Sequence, residues 1–250
     1  MRIIAVVNQK GGVGKTTTAV NLGDGLNRLR KKVLLIDLDP QAHLTFSLSV
    51  PEQKLEKSVY EVLSGGISFN EAITHRDGGL DVIPSSLKLS GAELEFSGIK
   101  GREFLLKESL SQLKGYDYVL IDCSPSLGLL TINALTTAKE VYIPLTTEFL
   151  SLQGLSKLLQ TVEVIKGGLN KGIEITGIIA TRYNKRKKLN QEVVEKIREY
   201  FGNKLFKTYI RENISLAEAP GFGKTIFEYK PKSRGAEDYL SLSRKIAEGE

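Results

Sequence analysis

The chain has 250 residues, 41% hydrophobic and 26% charged, a composition that suits one large α/β domain or two small ones with a sizeable core. It contains no apolar run long enough to span a bilayer, and one cysteine, Cys123, which excludes an intramolecular disulfide framework and a multi-thiolate metal site. The net charge of +6 is unevenly placed: Lys/Arg and Asp/Glu are balanced up to residue 170, so the whole excess lies in the last 80 residues, either facing a polyanion, nucleic acid or an anionic membrane, or forming a solvated charged surface.

Apolar β-branched runs alternate with stretches of helical period along the whole chain. That alternation predicts an α/β fold, a single domain with a mainly parallel twisted sheet flanked by helices. Strands are expected at Arg2–Asn8, Lys32–Leu38, Leu80–Pro84, Tyr116–Asp122, Glu140–Pro144, Ile173–Thr181 and Leu205–Tyr209. The first run, from Ile3 to Val7, meets Asn8 and Lys10 with no cleavage site after it, so it is a strand and not a signal peptide. Ala19, Leu22, Leu26 and Leu29 predict a helix over Lys15–Arg30 with one face on the sheet. Further helices are expected over Gln191–Phe201 and Gly235–Ala247, the latter with Tyr239, Leu240, Leu242 and Ile246 as its apolar positions. Residues 50–110, where the apolar pattern is weakest, are where partner specificity is expected. Both histidines, His43 and His75, fall in predicted loops without partners and receive no role.

Between the first strand and the first helix lies Gln9-Lys10-Gly11-Gly12-Val13-Gly14-Lys15-Thr16-Thr17. Strand, glycine-rich loop and helix in that order make a phosphate cradle. Gly11, Gly12 and Gly14 let backbone N–H groups converge on phosphate oxygens where a Cβ would obstruct. Val13 and Thr17 complete the nucleotide-binding loop, Lys15 neutralises the β/γ-phosphates, and the Thr16 hydroxyl can ligate Mg²⁺, which makes ATP and Mg²⁺ the expected ligands. A dinucleotide fingerprint is excluded, because Thr17 stands where its third glycine belongs.

Two further strands close on acids. Val33–Leu38 runs into Asp39-Pro40-Gln41, which puts Asp37 and Asp39 on one side of the chain at the carboxyl edge of a parallel sheet, where ligands bind. Aspartate before proline is also a turn former. Tyr118–Ile121 ends on Asp122, an acid placed to hold Mg²⁺ directly or through water. Cys123 is a packed residue at the start of the turn that follows.

The pattern KGGxGK[ST], with Gln9 in place of the usual first glycine and Lys10 after it, resembles the deviant Walker A ATPases, and the set of motifs most resembles the ParA/Soj family. KGGVGKTTTAVNL, DLDPQ, the strand ending on Asp122, PLTTEFLSLQGL, APGFG and RGAEDYLSL carry that resemblance across essentially the whole chain. It implies that Lys10 reaches the partner's phosphates across an ATP sandwich homodimer. It implies too that Asp39 activates the attacking water, that Asp37 lies near the metal's outer shell, and that Cys123–Gly128 senses the γ-phosphate. Catalysis would then rest on Lys10, Lys15 and Asp39. The segment from Ile210 to Pro220 resembles the family's IPRNVRLSEAP, where proline and asparagine contact adenine; Asn213 matches, whereas Arg211 replaces the proline and is expected to stack on the base.

Arg182-Tyr183-Asn184-Lys185-Arg186-Lys187-Lys188 holds five cations in seven residues, the footprint of a phosphate backbone. The resemblance places an essential DNA-binding arginine of the family at Arg186, with Lys185, Lys187 and Lys188 beside it. A second falls on Ser215, with Lys187, Lys188, Lys207 and Arg211 left to compensate. No base-reading motif is visible, so binding to double-stranded DNA is expected to be non-specific and salt dependent. The resemblance further implies a ParB-like centromere-binding partner that stimulates hydrolysis, a cytoplasmic, nucleoid-associated location, and no N-terminal helix-turn-helix domain. Two other classes share the motifs. A MinD-like membrane switch needs a basic amphipathic C-terminal helix, which the acidic ending EGE does not offer, and a metabolic ligase needs a second substrate domain that is not evident.

Overall fold

The computed structural model describes residues 1–148, Ser151 and 155–249; part of the PLTTEFLSLQGL stretch and the last residue of EGE lie outside the described residues. Strands β1 Arg2–Val6, β2 Val33–Leu38, β3 Thr74–His75, β4 Leu80–Ile83, β5 Tyr118–Cys123, β6 Glu140–Thr146 and β7 Glu174–Thr181 form one sheet in the order β3-β4-β2-β5-β1-β6-β7. Every pairing is parallel except β3 with β4. From β1 the chain crosses to β2 on one side, and from β5 it crosses to β6 on the other. The carboxyl ends of β1 and β5 therefore flank a switch point, the position at which open α/β sheets bind ligands.

The helices are α1 Lys15–Arg28, α2 His43–Ser47, α3 Val59–Leu63, α4 Phe69–Ala72, α5 Ala92–Glu95, α6 Leu105–Leu110, α7 Leu129–Thr137, α8 Leu155–Gly168, α9 Lys188–Phe201, α10 Ile214–Glu218, α11 Ile226–Tyr229 and α12 Arg234–Glu248. Alternate residues of the central strands feed two cores. Leu34, Ile36, Val119 and Ile121 point into one, and Val33, Leu35, Tyr118 and Leu120 into the other, so both sheet faces are apolar and covered.

Helix α1 buries two stripes where the sequence shows one. Ala19, Leu22 and Leu26 are fully buried in the core, and Thr18, Asn21 and Asp24, three residues apart, are buried beneath the C-terminal segment. Thr18 Oγ1 pairs with the Tyr239 hydroxyl at 3.1 Å, Asn21 Oδ1 accepts the Ile226 N–H at 2.7 Å, and Asp24 accepts from Thr225 Oγ1. Gly25 permits this contact, because a Cβ there would collide with Ser243 of α12. The helix stops at Arg28, short of the expected Arg30, because Arg30 turns to φ 61° and the Leu29 N–H bonds back to Leu26 O.

The expected strand Leu205–Tyr209 is not one. Phe206 N donates to Ile178 O and Ile210 N to Ala180 O, so four residues of chain pass two of β7 and only an isolated bridge, Ile178 with Leu205, forms. β3 was missed, being two residues long. His75 is not without a partner, since its Nδ1 lies 2.8 Å from Asp81 Oδ1. Apart from β3 and β4, residues 50–110 fold into short helices and turns that leave Leu87 and Leu94 about four-fifths exposed.

Candidate functional site

Three loops leave the carboxyl ends of β1, β2 and β5 side by side. The register sets Val6, Asp122 and Asp37 level across the three strands, so the phosphate loop and both acidic ends share one edge. Gly12 (φ 71°) and Gly14 (φ 92°) turn the loop through left-handed backbone that other residues avoid, and Gly14 caps the start of α1. The Asn8 side chain pins the approach: its Nδ2 donates to Pro144 O at 2.7 Å, and its Oδ1 accepts the Lys10 N–H at 2.9 Å. On the far side Thr181 Oγ1 donates to Val13 O at 2.9 Å, tying β7 to the loop.

The loop opens into a cleft of about 900 Å³, at the upper end of the range for small-molecule sites. One wall is Gly11–Thr17. Facing it are Asp39, Gln41, His43, Phe46 and Ser47 after β2 and Pro125 after β5. Arg182, the stretch Ile210–Ile214 and Tyr239 close the remaining side. His43 begins α2 and lines the cleft, not a loop away from it.

At the floor, Thr16 Oγ1 donates to Asp122 Oδ2 at 2.6 Å, while Asp122 Oδ1 is buried with no hydrogen-bond partner. Burial, then the neighbouring Asp37 charge, push the Asp122 carboxyl well above the usual range against the Thr16 bond and Lys15. Burial also lowers the Lys15 ammonium, opposed by Asp122, Cys123 and Asp39, and its Nζ rests 3.5 Å from Lys10 O. A buried, unsatisfied carboxylate oxygen beside a hydroxyl is what a hard divalent cation such as Mg²⁺ satisfies, with nucleotide phosphate completing the ligands. The donor set therefore fits the metal expected from the sequence.

Asp37 stands beside Asp122 on the neighbouring strand and also shapes the turn that follows. Its Oδ2 accepts Thr45 N at 2.8 Å and Thr45 Oγ1 at 2.7 Å, and its Oδ1 accepts Asp39 N at 3.2 Å, so it forms the turn that presents Asp39. Burial raises its carboxyl to about 6. Asp39 Oδ1 accepts the Gln41 N–H at 2.9 Å while the carboxylate lines the cleft, and Ser85 Oγ donates to Asp39 O from β4's end.

Lys10 turns away from its own cleft: its Nζ lies 3.3 Å from Glu148 Oε2. Arg211 lines the cleft, and its Nε and Nη2 both reach Asp238 (2.6–3.0 Å) while Nη2 reaches Glu237 (2.6 Å), so the guanidinium clamps the 210–213 stretch to α12. Asn213 is on the cleft wall, with its Oδ1 accepting the Ser215 N–H. Ser215 is buried, so that position offers nothing to DNA. Lys185, Arg186, Lys187 and Lys188 are all exposed at the entry to α9. Sequence reasoning gave no site role to Asn8, Thr181 or Tyr239, which act through partners more than a hundred residues away. It read Arg182 only as part of the cation run and not as the cleft-lining residue it is.

Residues 1–175 match the sequence profile of the family described as AAA domain. The sporulation initiation inhibitor protein Soj of Bacillus subtilis is 46% identical over 250 residues, covering 98% of both chains. The chromosome partitioning protein ParA of Caulobacter vibrioides is 41% identical, covering 98% of this chain and 94% of its own. The chain belongs to the ParA/Soj family of partitioning ATPases. Among solved structures, a Mycobacterium smegmatis protein described as cobyrinic acid a,c-diamide synthase, with bound ATP analog and magnesium, superposes with a TM-score of 0.87 at 35% identity, covering 99% of this chain and 94% of that one. That likeness carries the family's P-loop fold over the full sheet described above.

Proposed function

We propose that this ParA/Soj-family ATPase hydrolyses Mg²⁺-bound ATP to ADP and phosphate. Its ATP-bound form pairs into a nucleotide sandwich, binds double-stranded DNA without sequence preference, and is released when a ParB-like partner stimulates hydrolysis. The observation that carries the catalytic half is the Thr16–Asp122 pair beneath the phosphate loop, with Asp122 Oδ1 left unsatisfied.

The loop N–H groups and Lys15 hold the β- and γ-phosphates, and burial of Lys15 makes its charge count for more than in water. Mg²⁺ bound by Thr16 and Asp122 supplies charge neutralisation on the phosphates. Asp39, presented by the Asp37–Thr45 turn, orients the attacking water and takes its proton. Phosphoryl transfer asks little else of a protein than position and charge. Lys10, half-buried and outside its own cleft, is free to complete the site of a second copy once it leaves Glu148. Phe46 and Ile214, about two-thirds and three-quarters exposed at the cleft mouth, supply apolar surface for that contact.

The polyanion surface is Lys185, Arg186, Lys187 and Lys188. A membrane surface finds less support: Tyr239, Leu242 and Ile246 of α12 are buried against α1, so that helix has no free apolar face for lipid, and no described helix is long and apolar enough to cross a membrane. Size-exclusion chromatography with ATP tests the dimer. Asp39→Ala should accumulate as a dimer with ATP, and Lys10→Ala should bind ATP and stay monomeric; dimerisation of Lys10→Ala would overturn the sandwich.

A further inference from the structure

One of the four exposed cations is already neutralised, and the acid that neutralises it belongs to the nucleotide cleft. Lys187 Nζ lies 3.0 Å from Glu212 Oε2, with both side chains 55% exposed. Glu212 is part of the Ile210–Ile214 wall. Among the described residues, Lys185 and Arg186 have no such partner, and Lys188 lies only at 3.8 Å from Glu192 on its own helix.

The backbone holds the two residues as neighbours. Tyr183 N donates to Ile210 O and Glu212 N to Tyr183 O, both at 3.0 Å, forming a parallel bridge between Tyr183 and Arg211. Arg211 is in turn clamped on Asp238. At the root of the loop Arg182 takes a left-handed φ of 52°, held by Thr147 Oγ1 on its carbonyl at 3.2 Å, and Thr181 Oγ1 reaches the phosphate loop. The far end is anchored by Asn184 N on Asn190 Oδ1 at 2.9 Å and by Gln191 Nε2 on Lys185 O at 2.7 Å. The Glu212 carboxyl is held below its ordinary range by the Lys187 hydrogen bond and charge, with Asn184 and Arg182 adding to it.

We propose that Glu212 is an internal brake on DNA binding: in the nucleotide-free chain it occupies Lys187, and a polyphosphate entering the cleft that Glu212 walls repels the carboxylate and frees that lysine for a DNA phosphate. The proposal rests on the DNA-binding reading of the loop. Both side chains are largely in water, where an ion pair adds little to folding, so the pair matters little to the fold. For a polyanion it removes one cation, and each phosphate neutralised by a cation adds about 0.9 to the slope of log affinity against log salt.

The test is binding of full-length wild type, Glu212→Gln, Lys187→Gln and the double variant to random-sequence duplex DNA, without nucleotide, with ADP and with ATP, over a salt series, alongside ATP affinity for each. Without nucleotide, Glu212→Gln should bind more tightly than wild type. Its slope should be steeper by about 0.9, so that it loses roughly threefold more affinity between about 50 and 200 mM salt. With ATP the two should differ less than twofold, and in the Lys187→Gln background the substitution should gain nothing. Equal slopes for wild type and Glu212→Gln, with wild type binding DNA under ATP, would overturn the brake alone. The same gain without Lys187 would also overturn it, as a mere change in net charge. No DNA binding by any of the four proteins at low salt would refute the DNA-binding reading and the brake with it.

Discussion

Replacing Arg211 by methionine separates two roles for this side chain. In the structure its guanidinium satisfies Asp238, whose side chain is 8% exposed, through contacts of 2.6–3.0 Å, and only the Arg211 backbone N–H at 2.9 Å would remain on that carboxylate. Removing one partner of a fully buried pair costs about 3–5 kcal/mol, and an exposed pair about 0–1. With the guanidinium side 36% exposed, Arg211→Met should lie between them, near 2 kcal/mol. The urea midpoint of the nucleotide-free protein should fall at constant slope, and its melting temperature should drop by roughly 4–8 °C. Asp238→Asn should cost less, and the double variant should show coupling of about 1 kcal/mol or more. ATP affinity should weaken as a secondary effect, because the 211–213 wall loses its anchor on α12. If Arg211→Met left the nucleotide-free midpoint unchanged and lowered only ATP affinity, the clamp would be wrong and stacking on adenine right.

Other substitutions probe the floor and the frame. Thr16→Val removes the one hydroxyl on Asp122 and should weaken ATP binding at least tenfold in the presence of Mg²⁺ while changing binding in EDTA little, as titration calorimetry would show. Asp122→Asn relieves the charge buried beside Asp37, so the nucleotide-free protein should melt higher than wild type. It should also lose most of the stabilisation, about 2.7 kcal/mol at a hundredfold excess over Kd, that Mg²⁺-ATP gives wild type. Lys15→Ala should abolish ATP binding by the same titration. Gly25→Ala drives a methyl group into Ser243 and should cost about 1–3 kcal/mol in urea, recovered in part by Ser243→Gly.

The parallel strands were legible because each is an apolar, β-branched run, and the phosphate loop because its glycines and lysine follow one another directly. The ends of β2 and β5 were legible for the same reason: a buried strand that closes on aspartate announces itself locally. What stayed hidden depends on partners far along the chain. The Thr18–Asn21–Asp24 stripe has the spacing of a solvated helix face, and only the C-terminal segment folding over α1 makes it a buried contact. The clamp of Arg211 on Asp238 was hidden because that ion partner stands 27 residues on. Leu205–Tyr209 has a strand's composition, but anchoring Phe206 between Gly177 and Tyr142 bends the chain off the ladder.

The most direct test of the cycle is equilibrium binding of the Asp39→Ala protein to random-sequence duplex DNA, with ATP and with ADP, across a salt series. Tight binding only with ATP, weakening steeply as salt rises, is the predicted result. Equal binding in both nucleotides, or none in either, would contradict an ATP-gated DNA-binding dimer.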